Sequence, residues 1–436
     1  MQAIKVGILG LGTVGAGTAS ILQDNADEIT RRVGRSINVT MASVRDVNRE
    51  RACDCSQLML TEDPFEIVNN PDIDVVVELI GGETLAKELV LKAIENGKHI
   101  VTANKAMIAL CGNEIFAAAQ TKGVTVSYEA AVAGGISIIK SIREGLAGNS
   151  IELVAGIING TGNFILTEMR DKGRTFEDVL AEAQALGYAE ADPTFDVEGI
   201  DAAHKLTILA SIAFGIPLQF ERIFTQGISE LSLTDVAYAE ELGYRIKHLG
   251  IAKRDDKGIE LRVHPTLIPE KQLIANVDGV MNAVLVKGNA VGNTLHYGAG
   301  AGAEPTGSAV VADIIDAVRS IDAQANCKVP SLGFQADTIK PQAIKTIEDC
   351  ESAYYLRAEV NDVAGVMSKL SAVFAEFDVS IEGITQKEPK AGEDRVSVIL
   401  ITQRTLESRI NSVIEKLLSM ADVKDDIVKI RVEHFS

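Results

Sequence analysis

Residues 10–15 read Gly-Leu-Gly-Thr-Val-Gly and join a β-rich apolar run, Ala3–Gly10, to a stretch with helical periodicity, Thr13–Ile29. A G-x-G-x-x-G turn between a strand and a helix constrains the fold strongly, because each glycine has its own task. Gly10 permits the tight turn, Gly12 lets the backbone approach a pyrophosphate, and Gly15 lets the helix pack near the strand. The helix then faces the phosphates with its free N–H groups. In this context the motif points to a bound dinucleotide contacted by Gly10, Gly12, Thr13, Val14 and Gly15. The alternative is a Gly-rich turn that serves packing alone.

Apolar runs and amphipathic stretches keep alternating up to about residue 130. Ile37–Val44, Asp74–Ile80, His99–Ala103 and Val124–Tyr128 read as strands. Leu85–Asn96 and Ala106–Lys122 read as helices stopped by Gly97 and Gly123. The alternation predicts an α/β architecture, with a doubly wound Rossmann-type sheet over 1–130. From about residue 150 the pattern changes. A strand at Ile151–Ile158 precedes helices near 162–171 and 175–186 and a long apolar helix at 197–214. Tyr244–Lys253, Ile259–His264 and Val280–Lys287 then alternate as antiparallel strands do, so 131–302 is expected to be an α+β substrate-binding and dimerisation domain. A Gly/Ala loop at 298–307 leads into a helix within 303–325, which is expected to return to the first domain. Residues 322–350 read as a linker. The segment 351–436 has the order β-α-β-β-α-β of a separate ferredoxin-like unit.

A chain of 436 residues is too long for one core, which agrees with several domains. Its net charge of −19 argues against nucleic acid and anionic membrane as partners. No apolar stretch approaches the roughly 18 residues of a membrane helix. The five cysteines are scattered and form no C-x-x-C pair, which reads as free thiols in a reducing compartment. The opening MQAIKVGILG enters a strand-like run without a cleavage site, so a cytoplasmic protein with no signal peptide is expected.

Two further sites follow from position. The second strand ends Ser43-Val44-Arg45-Asp46, where an acidic side chain suits a ribose 2′-hydroxyl and an Arg suits a 2′-phosphate. Arg45 favours NADP(H) and Asp46 keeps NAD open; an exposed Arg–Asp turn with no cofactor role is the alternative. Lys105 ends Thr102-Ala103-Asn104-Lys105 after another strand, where it can approach the cofactor or the reacting carbon, or simply be a surface lysine.

The richest segment is 187–209, GYAEADPTFDVEGIDAAHKLTIL. Asp196 is placed to cap the helix that follows. Asp201 and Lys205 stand four residues apart and share a face among apolar neighbours, where a charge pair is expensive unless paired or used. An intrahelical salt bridge on a partly exposed surface is the alternative. A Lys with a pKa lowered by burial can act as proton donor beside a carbonyl oxygen, and Glu190 and Asp201 can hold a substrate ammonium group. His204 points about 100° away from Lys205 and reads as a packing residue.

At this point the chain resembles the homoserine dehydrogenases of the aspartate pathway along its whole length. The matching segments are GLGTVG (10–15), TANK (102–105), EAAVAGGISII (129–139), GIINGTGNFIL (156–166), LGYAEADPTFDVEGIDAAHKLTIL (186–209) and GAGAGAEPTGSAVVADI (298–314). The resemblance implies reversible NAD(P)-dependent oxidation of L-homoserine to L-aspartate 4-semialdehyde. It implies Lys205 as proton donor and acceptor, Asp201 and Glu190 at the substrate, Lys105 near nicotinamide and substrate, and Gly187 and Gly302 near the cofactor. It also implies a monovalent cation, expected to be Na+, held by oxygens of Glu129, Val132, Gly134 and Ile136. The C-terminal unit resembles an ACT domain, with the turn Asn361–Val366 as an amino-acid site and L-threonine as the implied effector; a dimerisation module is the alternative. A homodimer or homotetramer is expected. One departure stands out: Gly162 replaces the hydroxyl residue of the family's usual NGTTN. Other readings are an NADP oxidoreductase acting on a related semialdehyde, a catalytically silent threonine sensor, and an aldehyde dehydrogenase using Cys111, for which no partnering His is evident.

Overall fold

Ile4–Leu9 (β1) lies inside a six-stranded, all-parallel sheet. The computed structural model describes residues 3–324, 327–387 and 395–435. With Ile37–Ser43 (β2), Met59–Thr61 (β3), Val75–Glu78 (β4), His99–Thr102 (β5) and Val126–Ser127 (β6), the order is β3-β2-β1-β4-β5-β6. Val75, Val76 and Val77 are fully buried, because helices cover both faces. Strand order reverses between β1 and β4, which opens a crevice at their carboxyl ends.

The helical stretch after β1 is two helices, Thr13–Asp24 and Ala26–Val33, broken at Asn25. Apolar periodicity runs across the break and hides it. Strand β3 and the helix Pro64–Asn69 also escape a sequence reading, being too short for periodicity to register. The helix Ala303–Ile321 packs on Thr13–Asp24, where a Cβ at Gly17 would fall 2.5 Å from the Ala303 carbonyl. Its Val310 and Ile314 share a core with Val6, Ile8 and Val77.

The second sheet comprises Ile151–Ile157 (β7), Phe224–Thr225 (β8), Tyr244–Asp255 (β9), Gly258–Pro269 (β10), Met281–Gly288 (β11), Gly292–Ala299 (β12), Glu351–Asn361 (β13), Ile381–Gln386 (β14), Arg395–Thr402 (β15), Thr405–Leu406 (β16) and Val423–Val432 (β17). The order is β12-β11-β7-β9-β10-β17-β13-β15-β14, with β8 on β10 and β16 on β13. Strand β12 reaches into the Gly/Ala stretch that reads as loop, because its glycines mask the alternation.

The C-terminal unit does not stand apart from the middle of the chain. Its last strand, β17, pairs in parallel with β10 at Thr266–Arg431 and Leu267–Val432. Pro265, which has no N–H to give, falls where the outer edge of β10 passes from β8 to β17. Buried charges cross this seam. Arg262 donates to Glu433 at 2.7 Å and Glu260 at 3.1 Å, and Arg431 donates to Glu407 and, at 2.8 Å, to Gln226. Asp235, in the helix Leu233–Glu241, accepts from Tyr355 at 3.0 Å and Arg357 at 2.7 Å on β13. Among the described residues no helix is long and apolar enough to cross a membrane.

Candidate active site

Asp201 is the second residue of the helix Ile200–Phe214, just past a left-handed turn at Gly199 (φ 83°). The helix buries Leu206, Ile208, Leu209 and Ile212 in the main core, which carries Asp201 and Lys205 inside with them. Gly199, with no side chain, is the N-cap, so Asp196 is not the cap that its spacing suggests. It sits in a separate short helix, Thr194–Val197.

Asp201 is only 3% exposed, so its pairing with Lys205 is no surface salt bridge. Lys205 Nζ donates to Asp201 Oδ2 at 2.7 Å and to the Ile158 carbonyl, just past β7, at 2.6 Å. Lys105 Nζ stands 3.1 Å from the other oxygen, Oδ1. Asn159 Nδ2 donates to Asp201 at 2.8 Å and to Asp196 at 2.7 Å, while its Oδ1 accepts from the Gly162 amide. Burial alone would raise the Asp201 pKa, but the charges of Lys205 and Lys105 outweigh it and hold the carboxyl well below its usual range. Burial pushes the Lys205 ammonium down, against the pull of Asp201 and with the help of Lys105. Burial also pushes Asp196 up, and neighbouring Asp201 adds to the rise. An ammonium has three N–H bonds, and Lys205 spends two on protein, leaving one for a reacting oxygen.

Lys105 opens the helix Lys105–Lys122, and the turn delivering it is locked from below. Glu78, fully buried at the end of β4, accepts from Thr102 at 2.6 Å and from the Ile80 and Gly81 amides. Thr102 in turn holds the Asn104 amide, and Asn104 caps the helix at Met107. Glu78 and Asn159 are functional neighbours that the sequence reading missed. For Glu78 the signal was a carboxylate at the end of an otherwise apolar parallel strand. Lys105 Nζ also lies 5.8 Å from the Phe195 ring, and His204 stacks on Phe220 at 4.3 Å as a packing residue does.

The crevice over the first sheet has a volume of about 800 Å³ and is lined by Gly10, Gly12, Thr13, Arg45, Arg49 and Leu79 among others. Gly10 has φ 97°, and a Cβ at Gly15 would lie 2.1 Å from the Gly10 carbonyl. A Cβ at Gly12 would meet nothing within 4 Å, so the open side of the turn fits a dinucleotide. Val14 packs its side chain against the core. Asp46 accepts from the Asn48 amide, Glu62 accepts from Val47, and Arg51 donates to carbonyls of its own loop. The Arg45 and Arg49 side chains are exposed and make no hydrogen bond or ion pair with a described residue.

Three family models match the chain: "Homoserine dehydrogenase, NAD binding domain" over 10–129, "Homoserine dehydrogenase" over 138–315 and "ACT domain" over 354–419. The homoserine dehydrogenase of Pseudomonas aeruginosa is 61% identical over 436 residues, covering both chains completely. A crystal structure of a homoserine dehydrogenase from Thiobacillus denitrificans is 59% identical, with a TM-score of 0.95 over 100% of this chain and 99% of that one. A hyperthermophilic archaeal homoserine dehydrogenase in complex with NADPH is 26% identical, with a TM-score of 0.61 over 72% of this chain and 98% of that one. The chain belongs to the homoserine dehydrogenase family. It is an oxidoreductase that interconverts L-homoserine and L-aspartate 4-semialdehyde with a nicotinamide cofactor.

Not every residue expected at the homoserine dehydrogenase site joins the Asp201 cluster. Glu190 is exposed, and only its backbone carbonyl is held, by Gln184 at 3.1 Å. The carboxylate that does join is Asp196. Gly187 is exposed at the end of the helix Phe176–Ala185, and Gly302 is the N-cap of Ala303–Ile321, whose first residue lies against Gly17. Glu129, 4% exposed, accepts from the Ile139 and Lys140 amides at 2.8 Å each, and burial pushes its pKa up. Val132, Gly134 and Ile136 follow in a turn laid against 298–302, where a Cβ at Gly134 would fall 2.5 Å from the Gly300 carbonyl. Among the described residues no three His, Cys, Asp or Glu side chains gather as a metal site.

Proposed function

We propose that Lys205 is the acid and base of this homoserine dehydrogenase, and Asp201 its partner. The observation that carries this is the buried ammonium held by Asp201 and Ile158 with one donor direction left over. A nicotinamide held in the crevice would supply the acceptor for the hydride that leaves homoserine C4. In that direction neutral Lys205 accepts the hydroxyl proton, and in reverse its ammonium returns it to the aldehyde oxygen. Asp201 and Asp196 face the substrate ammonium. Glu190 reaches that group only if its turn moves inward. Lys105 steadies the far oxygen of Asp201 and borders the nicotinamide side.

NADP(H) is the proposed cofactor, with NAD as the weaker one. The guanidinium groups of Arg45 and Arg49 have no hydrogen-bond or ion-pair partner among the described residues, whereas the Asp46 carboxylate is engaged by its own loop. The archaeal relative bound to NADPH supports the same choice. Gly10, Gly12, Thr13, Val14 and Gly15 would hold the pyrophosphate, with Gly187 and Gly302 at the rim. Na+ is proposed at Glu129, Val132, Gly134 and Ile136. The carbonyls of Val132 and Gly134 accept no hydrogen bond from a described residue, and a hard cation takes such oxygens. L-threonine is proposed as the ligand of the ACT unit. The sheet edges β12 and β14, with Tyr297 59% and Ile384 44% exposed, support a homodimer or homotetramer.

The test is nicotinamide absorbance with purified protein, L-homoserine and a sodium salt, with NADP+ and NAD+ run in parallel and with or without L-threonine. Faster reduction of NADP+ and a rate lowered by threonine are expected. No homoserine-dependent reduction of either cofactor by folded protein would overturn the reading.

A further inference from the structure

His248, on β9, is buried where three pieces of chain meet. Its Nε2 lies 2.9 Å from the carbonyl of Gln226, the residue that follows β8. A Cβ at Gly199, the N-cap of the Asp201 helix, would lie 3.1 Å from His248 Cε1. A Cβ at Gly162, whose amide is held by Asn159, would lie 3.7 Å from His248 Nδ1. Nδ1 is buried and has no hydrogen-bond partner among the described residues. Burial holds the ring neutral, pushing its pKa down to about 4. With Nε2–H donated to Gln226, Nδ1 is an acceptor turned toward Gly162.

The turn that His248 holds is gripped from both sides. The Gln226 side chain accepts from Arg431 of β17 at 2.8 Å. The Ile228 amide donates to the Val197 carbonyl at 2.9 Å, and Ser229 donates to Glu198 at 2.7 Å. Residues 226–229 therefore lie between the last strand of the C-terminal unit and the turn 197–199 that aims Asp201.

We propose that His248 is a positioning residue for the reaction, tying the 226–229 turn, which the C-terminal unit grips through Arg431, to the Gly199 turn that sets Asp201. This rests on the assignment of Asp201 and Lys205 above. The imidazole touches none of the reacting groups and acts through the direction of the helix start. A change in the position of β17 passes through Gln226 and His248 to the carboxylate that holds Lys205.

The test compares His248→Leu, which keeps volume and loses the donor, with His248→Gln, whose amide can still donate to Gln226. Loss of a neutral hydrogen bond at this joint is expected to lower kcat/KM for homoserine by about fivefold in His248→Leu. The KM for homoserine rises, the acid limb of the pH profile shifts, and the KM for the nucleotide stays put; His248→Gln restores most of the loss. A third variant, Gly162→Ser, brings a hydroxyl toward Nδ1 at ordinary contact distances and is expected to raise the unfolding temperature in wild-type protein but not beside His248→Leu. Unchanged homoserine KM and pH profile in folded His248→Leu would overturn the proposal. Loss of turnover in Lys205→Ala alongside those unchanged values would leave the reading of the site intact and sink only the role of His248.

Discussion

Lys105 and Lys205 occupy the two different oxygens of one buried carboxylate, at 3.1 Å and 2.7 Å from Asp201. They come from separate domains: Lys105 follows β5 of the parallel sheet, and Lys205 lies on the helix under the second sheet. The proposed active site is therefore assembled where the parallel sheet meets the helix under the second sheet, and Asp201 joins the two lysines. Two ammonium heads on one carboxylate keep it ionised, while the buried amine is poised to lose its proton.

Replacing either lysine should then separate their tasks. Lys205→Ala removes the proposed acid and base and is expected to lower kcat by about 10² to 10⁴ with the nucleotide KM unchanged. Lys105→Ala removes a charge and leaves the proton carrier in place, so a smaller fall with a raised homoserine KM is expected. Steady-state kinetics in both directions check this, and a Lys205→Ala enzyme with more than half of wild-type kcat would contradict the assignment.

The pH dependence of homoserine oxidation carries a sign. Lys205 must be neutral to accept the proton, so the rate rises with pH through its folded-state pKa. Burial lowers that pKa and the Asp201 charge raises it. Asp201→Asn deletes the raising contribution, the amine loses its proton more readily, and the acid limb of kcat moves to lower pH. The same variant raises the homoserine KM. A limb that stays in place, or moves to higher pH, would mean that another group titrates.

Cofactor choice should follow the two unpartnered arginines. Arg45→Ala and Arg49→Ala each remove a charge from the crevice without breaking a side-chain hydrogen bond or ion pair to a described residue. Each is expected to raise the KM for NADP+ by about tenfold, since a hydrogen bond to a charged group contributes about 1.5–3 kcal/mol, and to leave that for NAD+ nearly unchanged. Equal effects on both cofactors would place the arginines on a part that the two share.

The sequence made every strand of the first sheet but the short β3 plain, because strand, glycine turn and helix are local signals repeated in order. The Asp201–Lys205 pair was also legible, since two charges at helical spacing among Ile200, Leu206 and Leu209 call for a purpose. Asn159 was not, because its two carboxylate partners lie 37 and 42 residues away. The place of Asp196 was not legible either: the acidic neighbourhood in sequence draws attention to Glu190, whose side chain is exposed, whereas the fold brings Asp196 to Asn159 beside Asp201. The seam between β10 and β17 was hidden altogether. Period-two patterning shows that each strand exists but not which strand it meets, and Thr266 and Arg431 are far apart along the chain.

That seam yields the last prediction. Glu433 is 4% exposed and accepts from Arg262 at 2.7 Å and Ser352 at 2.8 Å. Burial by itself would raise its pKa, but the Arg262 charge and hydrogen bonds outweigh this and hold it below the ordinary value. A carboxylate depressed in the folded state contributes stability above its unfolded pKa, and that contribution is lost as pH falls through the folded one. Glu433→Gln leaves Arg262 with Glu260 as its remaining carboxylate, beside its bonds to His264 and Ser352, so a loss of about 1.5–3 kcal/mol is expected at neutral pH, measured by urea unfolding. The gap between variant and wild type should narrow in acid as Glu433 itself becomes protonated. Ending the chain at residue 350 strips β17 from β10 as well as removing Glu433, and that shortened protein is expected to be poorly soluble. A fully soluble, fully active chain of residues 1–350 would show that the shared sheet contributes nothing to the stability of the catalytic domains.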